Sequence, residues 1–201
     1  MRKIYIGFSG KPKVGKDTFV TKISTYLSAW NYLTQRISFA RPAKEAMSKI
    51  LCCPVEMLDE PSFKDSFFQN KQVRKSLTDL ISFFEQEWGE TYYLHPIQKQ
   101  ISSSNARIFF FSDVRRPSHV DFIKENNGLI IRLEKEPLWI DNGDSNAIES
   151  LLDSYDRFDL KLEVKKDHSN FMTNFFLLIN FINAHLDPLR QVNFSGVSSQ
   201  A

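Results

Sequence analysis

The stretch FSGKPKVGKDT, residues 8–18, decides how the rest of the chain is read. Gly10 is followed by four residues and then by Gly15 and Lys16, the spacing of a phosphate-binding loop. The spacing has a physical cause. Backbone N–H groups must converge on phosphate oxygens, and glycine allows both the close approach and the backbone angles that this needs. Before the loop, Ile4, Ile6 and Phe8 alternate as in a strand. After it, Phe19, Val20, Ile23 and Leu27 recur at helical spacing over 17–29. A loop that ends on a helix N-terminus meets an anion with unpaired N–H groups and a positive dipole end, and Lys16 adds a full charge for the β- and γ-phosphates.

Asp17 stands where a Ser or Thr usually ligates Mg2+. Two readings stay open. The carboxylate is a hard oxygen ligand that takes the metal itself, or Thr18 ligates while Asp17 caps the helix.

Working outward, strands and helices alternate. QRISF near 35–39 reads as a short strand, and Pro42 opens a helix carrying Ala43, Met47, Ile50 and Leu51. Residues 55–105 read as mostly helical, with breaks at Pro61, near Gly89 and at Pro96. RIFFF at 107–111 is the continuous apolar run of a strand buried on both faces. A helix over 118–126, the strand LIIRL, a strand near 158–164 and a helix over 169–186 follow. Residues 137–157 are acidic and Asn/Ser-rich, a candidate lid-like loop, and the tail 188–201 is polar. The pattern predicts one α/β domain over 1–187 with a mostly parallel sheet and a helical insertion at about 41–105.

The string RIFFFSDVRRP places Asp113 at the carboxyl end of the best strand, where ligands of such sheets bind and where a Mg2+-side carboxylate belongs. Arg115 and Arg116 follow, and an Arg fork answers the charge that spreads over a transferred phosphoryl group. Lys44 in FARPAKE and Arg74 in RKSLTDL are candidates for a phosphate-bearing acceptor. Such an acceptor is already largely ionised at neutral pH, so no general base is required.

Composition agrees with a local anion site. Residues 1–50 carry ten basic and two acidic side chains, about +8, on a chain of net charge +2, so the remainder holds about −6. That balance argues against nucleic acid or a membrane surface as partner, and no stretch reaches the roughly 18 apolar residues of a membrane span. The 18 Phe are scattered through apolar periods and read as core. The adjacent Cys52 and Cys53 cannot staple distant segments, and free thiols suit a reducing, cytoplasmic setting.

Together SGKPKVGKDT, FARPAKE, SDVRRP and ESLLDSYDRFD resemble the deoxynucleoside monophosphate kinases of phages and bacteria, and also the animal-type phosphomevalonate kinases. The resemblance implies a three-layer α/β/α P-loop NTPase fold of nucleoside monophosphate kinase type, with a five-stranded sheet. It implies ATP and Mg2+ as cofactors and a small phosphorylated acceptor as substrate, and it is compatible with a homodimer. It would place Gly10, Lys11, Lys13, Val14, Gly15, Lys16, Asp17 and Thr18 at the ATP phosphates, with metal at Asp17, Thr18 and Asp113. Lys16, Asp113 and Arg115 would be catalytic, and Lys44, Arg74, Arg116 and Glu149 would meet the acceptor. The chain departs from the nucleotide enzymes at Asn146-Ala147-Ile148-Glu149, where they read His-x-Ser-Glu, and at Glu90, where they carry Arg. The expected activity is transfer of the γ-phosphate of ATP to a deoxynucleoside monophosphate. The alternatives are phosphomevalonate as acceptor, or a non-catalytic ATP-binding module.

Overall fold

The computed structural model describes residues 2–137 and 151–186. The central strand β1 (Ile4–Gly10) runs parallel to β5 (Ile108–Val114) on one side and to β6 (Leu129–Lys135) on the other. Outside these lie β2 (Thr34–Ile37) against β5 and β7 (Leu160–Val164) against β6, so the order is β2-β5-β1-β6-β7, all parallel. Parallel neighbours cannot be joined by hairpins, so crossover segments must cover the faces.

One face is covered by α1 (Lys16–Ala29) and α7 (Phe171–Leu186). Ile6, Phe8, Phe110, Ile131 and Leu133 of the sheet pack there with Phe19, Ile23, Leu178 and Ile182. The other face is covered by α5 (Leu94–Ser102) and α6 (Pro117–Glu125), over Tyr5, Phe109, Phe111 and Ile130. Successive side chains of β1 and β5 thus alternate between two cores, as the continuous apolar run RIFFF predicts.

Between β2 and β5 the chain builds a third, smaller core from α2 (Arg41–Ile50), a 3₁₀ turn (Val55–Asp59), α3 (Pro61–Lys64) and α4 (Val73–Trp88). Ala43, Met47, Leu58, Val73 and Leu77 are its buried members. The expected insertion over 41–105 therefore ends earlier as a separate body, because α5 returns to the sheet. Two details depart from the periodicity. Pro96 does not break α5, since it lies in the first turn, where a helix has no use for its N–H. The two-residue strands β3 (Phe67–Phe68) and β4 (Lys71–Gln72) form a hairpin turned by Gln69 and Asn70, both at positive φ, which is too short to leave an alternating pattern. The end of the expected mobile loop also differs: Leu152 is buried against the α5/α6 face. Residues 138–150 and 187–201, which hold the rest of that loop and the tail, lie outside the described residues. Among the described residues no helix is long and apolar enough to cross a membrane.

Gly7 shows how tightly α6 lies on β1. A Cβ there would stand 2.6 Å from Ile123 Cδ1 and 2.9 Å from Val114 Cγ2. Gly7→Ala should cost about 1–3 kcal/mol of stability through overpacking, read as a lower midpoint in urea with an unchanged slope.

Candidate functional site

β1 ends at Gly10, and the chain then turns through residues 11–15 into α1. Gly10 has φ 145°, and a Cβ on it would fall 2.4 Å from the Leu133 carbonyl oxygen of β6. Gly15 has φ 93° at the N-cap of α1, and Lys13 takes the left-handed region at φ 63°. No side chain caps α1, which leaves its first-turn N–H groups facing the loop. Lys16 curls back, its Nζ donating to the carbonyls of Gly10 and, at 2.8 Å, Lys11. Val14 is fully buried in the α1/α7 core, so it can offer a ligand only its backbone. Glycines at both hinges, an uncapped helix and a lysine across the opening make a cradle for a polyphosphate. The fold is that of the P-loop NTPases.

Two arginines that the sequence reading passed over bind this cradle to the sheet. Arg132 of β6 is 6% exposed. Its guanidinium donates to Ser9 Oγ at 2.9 Å and to Asp153 Oδ1 at 2.5 Å. Asp153 also accepts from Lys11 Nζ at 2.7 Å. Burial works against the Asp153 charge, but Lys11 and Arg132 outweigh it and hold the carboxyl below its usual range. The signal for Arg132 was a charge inside an otherwise apolar strand; nothing local in the sequence marked Asp153 as its partner. Arg36 of β2 donates to Asp17 Oδ1 and, at 2.7 Å, to Ser112 Oγ.

Asp113 lies at the carboxyl end of β5, as expected, and its oxygens are engaged by the neighbouring turn. A register shift against β1, where Gly7 faces Phe111 and Ser9 faces Val114, places a bulge at Ser112 and Asp113. The Asp113 carboxylate accepts hydrogen bonds from Ser38 Oγ at 2.7 Å and from the N–H groups of Phe39 and Ala40, both at 3.1 Å. It organises the turn between β2 and α2, and these bonds engage both of its oxygens. Burial alone would raise its carboxyl; His119 beside it and the hydrogen bonds from Ser38 and Ala40 reverse the sign. His119 is buried and stacked on Phe39 at 3.9 Å between ring centroids. Its Nδ1 accepts the Arg115 N–H at 3.3 Å, which requires that nitrogen to be unprotonated.

The acceptor-side cations fall on the helical insertion, each beside a carboxylate. Lys44 Nζ donates to Asp59, and its side chain is only 11% exposed. Arg74 pairs with Asp65 at 2.8 Å across the base of the β3–β4 hairpin. Arg116, expected at the acceptor, is instead paired with Glu85 of α4 at 2.7 Å, both side chains nearly buried, and so ties α6 to α4. Arg115 is exposed beyond the end of β5. Glu149 lies outside the described residues, as do Asn146, Ala147 and Ile148. Lys64 was missed: burial lowers its pKa first, and the neighbouring charges of Lys44 and Arg74 lower it further, against Asp59 and Asp17. Crowded like charges of this kind mark a place suited to an anion.

A divalent cation fits the donor set at the cradle. Asp17 and Thr18 present exposed hard oxygens on the first turn of α1. Among the described residues there is no group of three or more His, Cys, Asp or Glu that could hold a metal ion.

No family model matches the chain, and no curated protein matches it. Among solved structures it is similar to the APS kinase of Mycobacterium tuberculosis, at 10% identity and a TM-score of 0.44, covering 90% of this chain and 98% of that one. It is also similar to the shikimate kinase of Aquifex aeolicus, at 13% identity and a TM-score of 0.45, covering 91% and 98%.

Two outcomes follow from the buried polar groups. Asp153→Ala strips the carboxylate from a buried guanidinium and should cost about 2 kcal/mol, with Asp153→Asn losing less, both read by urea denaturation. Burial, aided by the nearby arginines, pushes His119 from 6.5 down to about 4. The unfolded chain therefore takes up a proton that the folded one refuses, and stability present above pH 6.5 drains away as pH falls toward 4. The loss should reach about 3 kcal/mol and be largely absent in His119→Gln, by thermal melts across that window.

Proposed function

We propose that this chain is a small-molecule kinase that passes the γ-phosphate of ATP to the phosphate of a small monophosphate. The observation that carries the reading is the cradle of residues 10–16, with both glycines at positive φ and Lys16 across its mouth. In this reading the α1 amides and Lys16 hold the β- and γ-phosphates, with Lys11 and Lys13 beside them. Lys16 leaves the Gly10 and Lys11 carbonyls when phosphate oxygens replace them. Mg2+ bound with the nucleotide, at Asp17 and Thr18, supplies charge neutralisation. Asp113 acts by fixing the turn from which Lys44 projects. Lys44, Lys64 and Arg74 receive the acceptor phosphate, and Arg115 answers the charge of the group in transit.

A deoxynucleoside monophosphate is the first acceptor. Phe67 and Phe68, both exposed on the hairpin closed by Asp65 and Arg74, offer ring faces for a base beside the cationic cluster. Phosphomevalonate is the second reading, favoured by the same three cations taken without the rings.

The test is ADP formation with ATP and Mg2+ against a panel of deoxynucleoside monophosphates, ribonucleoside monophosphates and phosphomevalonate. Turnover with a deoxynucleotide is expected, and Lys16→Ala should lower it by about 100-fold or more without changing the melting temperature by more than a few degrees. Turnover with phosphomevalonate alone reassigns the acceptor. Nucleotide binding without ADP on any acceptor makes the chain a binding module and ends the kinase reading.

A further inference from the structure

Arg36 reaches in from the edge strand β2 and pairs with the Asp17 carboxylate. The same Nη2 that meets Asp17 Oδ1 also donates to Ser112 Oγ at 2.7 Å, and Ser112 is only 5% exposed. The guanidinium therefore has a fixed seat in the sheet and one exchangeable contact at its outer side. That contact is held loosely by its surroundings: the Asp17 side chain is 69% exposed and the Arg36 side chain 50%. An ion pair so open to water contributes little to stability, and its partners can be replaced at small cost.

We propose that Arg36 and a divalent cation are alternative partners of the Asp17 carboxylate. Without nucleotide, the guanidinium neutralises Asp17; when a metal arrives on the polyphosphate, Asp17 turns to it and Arg36 keeps only Ser112. The proposal rests on the nucleotide-binding reading given above. Its physical content is competition. A guanidinium on one carboxylate oxygen withdraws that oxygen from the metal and repels a second cation within a few ångströms. Lys64, whose charge also reaches Asp17, adds to the repulsion. The protein thereby favours metal that comes with phosphates, whose negative charge offsets both basic side chains, over free metal.

The experiment measures how much Mg2+ a fluorescent ATP analogue needs to bind, in the wild-type chain and in Arg36→Gln. The Arg36 backbone pairs with Phe110 in the sheet and its side chain is half exposed, so the fold should survive the change. Half-saturating Mg2+ should fall about 3- to 10-fold. Asp17→Asn should raise the Mg2+ requirement, and in that background Arg36→Gln should lower it by a clearly smaller factor, what is left being plain charge repulsion. Arg36→Met, which keeps the apolar stem and removes the charge, should lower the requirement as Arg36→Gln does, and it decides the matter should Arg36→Gln not fold. An unchanged or higher Mg2+ requirement in Arg36→Gln overturns the exchange, as does a decrease of undiminished size in the Asp17→Asn background. Either result leaves nucleotide binding intact, whereas a wild-type chain that binds no analogue at any Mg2+ concentration removes the functional reading and this exchange together.

Discussion

Gly10 has no side chain because the Leu133 carbonyl occupies the space where one would begin. That contact draws the phosphate loop down onto the end of β6, and much of the site depends on it. It sets the height at which Lys11 meets Asp153, and the direction from which Lys16 closes over the loop. It also puts Ser9 opposite Arg132 in the β1–β6 register, so that one buried guanidinium joins the floor of the cradle to the chain returning at Asp153. A loop held by backbone proximity alone would be free to open. Here a cation locked between a hydroxyl and a carboxylate fixes its base, and charged pairs of this sort tolerate little loss of either partner.

The architecture was readable where a pattern repeats. β1, the loop, α1, the run of phenylalanines in β5 and the long helix α7 all follow from alternation or from helical spacing. The site was readable where a motif carries its own geometry, which is the case for residues 10–18. It was not readable where partners come from distant segments. Asp113 has the right position in the chain for a metal-side carboxylate, yet the bulge beside it turns both oxygens to the β2–α2 turn. Arg116 sits next to Arg115 in the sequence, yet one is buried with Glu85 and the other is exposed. Arg36, Lys64 and Asp153 gave no local signal at all, because what defines them is a counter-charge 19 to 142 residues away or a crowd of like charges assembled only by folding.

The basic side chains of the first quarter are not simply a positive patch. Lys11, Arg36, Arg41 and Lys44 each face a carboxylate. Such pairing keeps a cation-rich surface from repelling itself apart.

The place of β1 in the middle of the sheet has a consequence for how the chain comes to be folded. Both neighbours of β1 come from far along the chain, Ile4 lying opposite Ile108 and Ile6 opposite Leu129. On a ribosome adding 5 to 20 residues per second, the apolar strand and the helix behind it would wait roughly 5 to 20 s for their first partner strand. During that interval Ile4, Ile6 and Phe8 have only α1 to shelter them. Nascent β1 thus waits for both of its partner strands, and the packing of Phe8 against α1 is its first shelter.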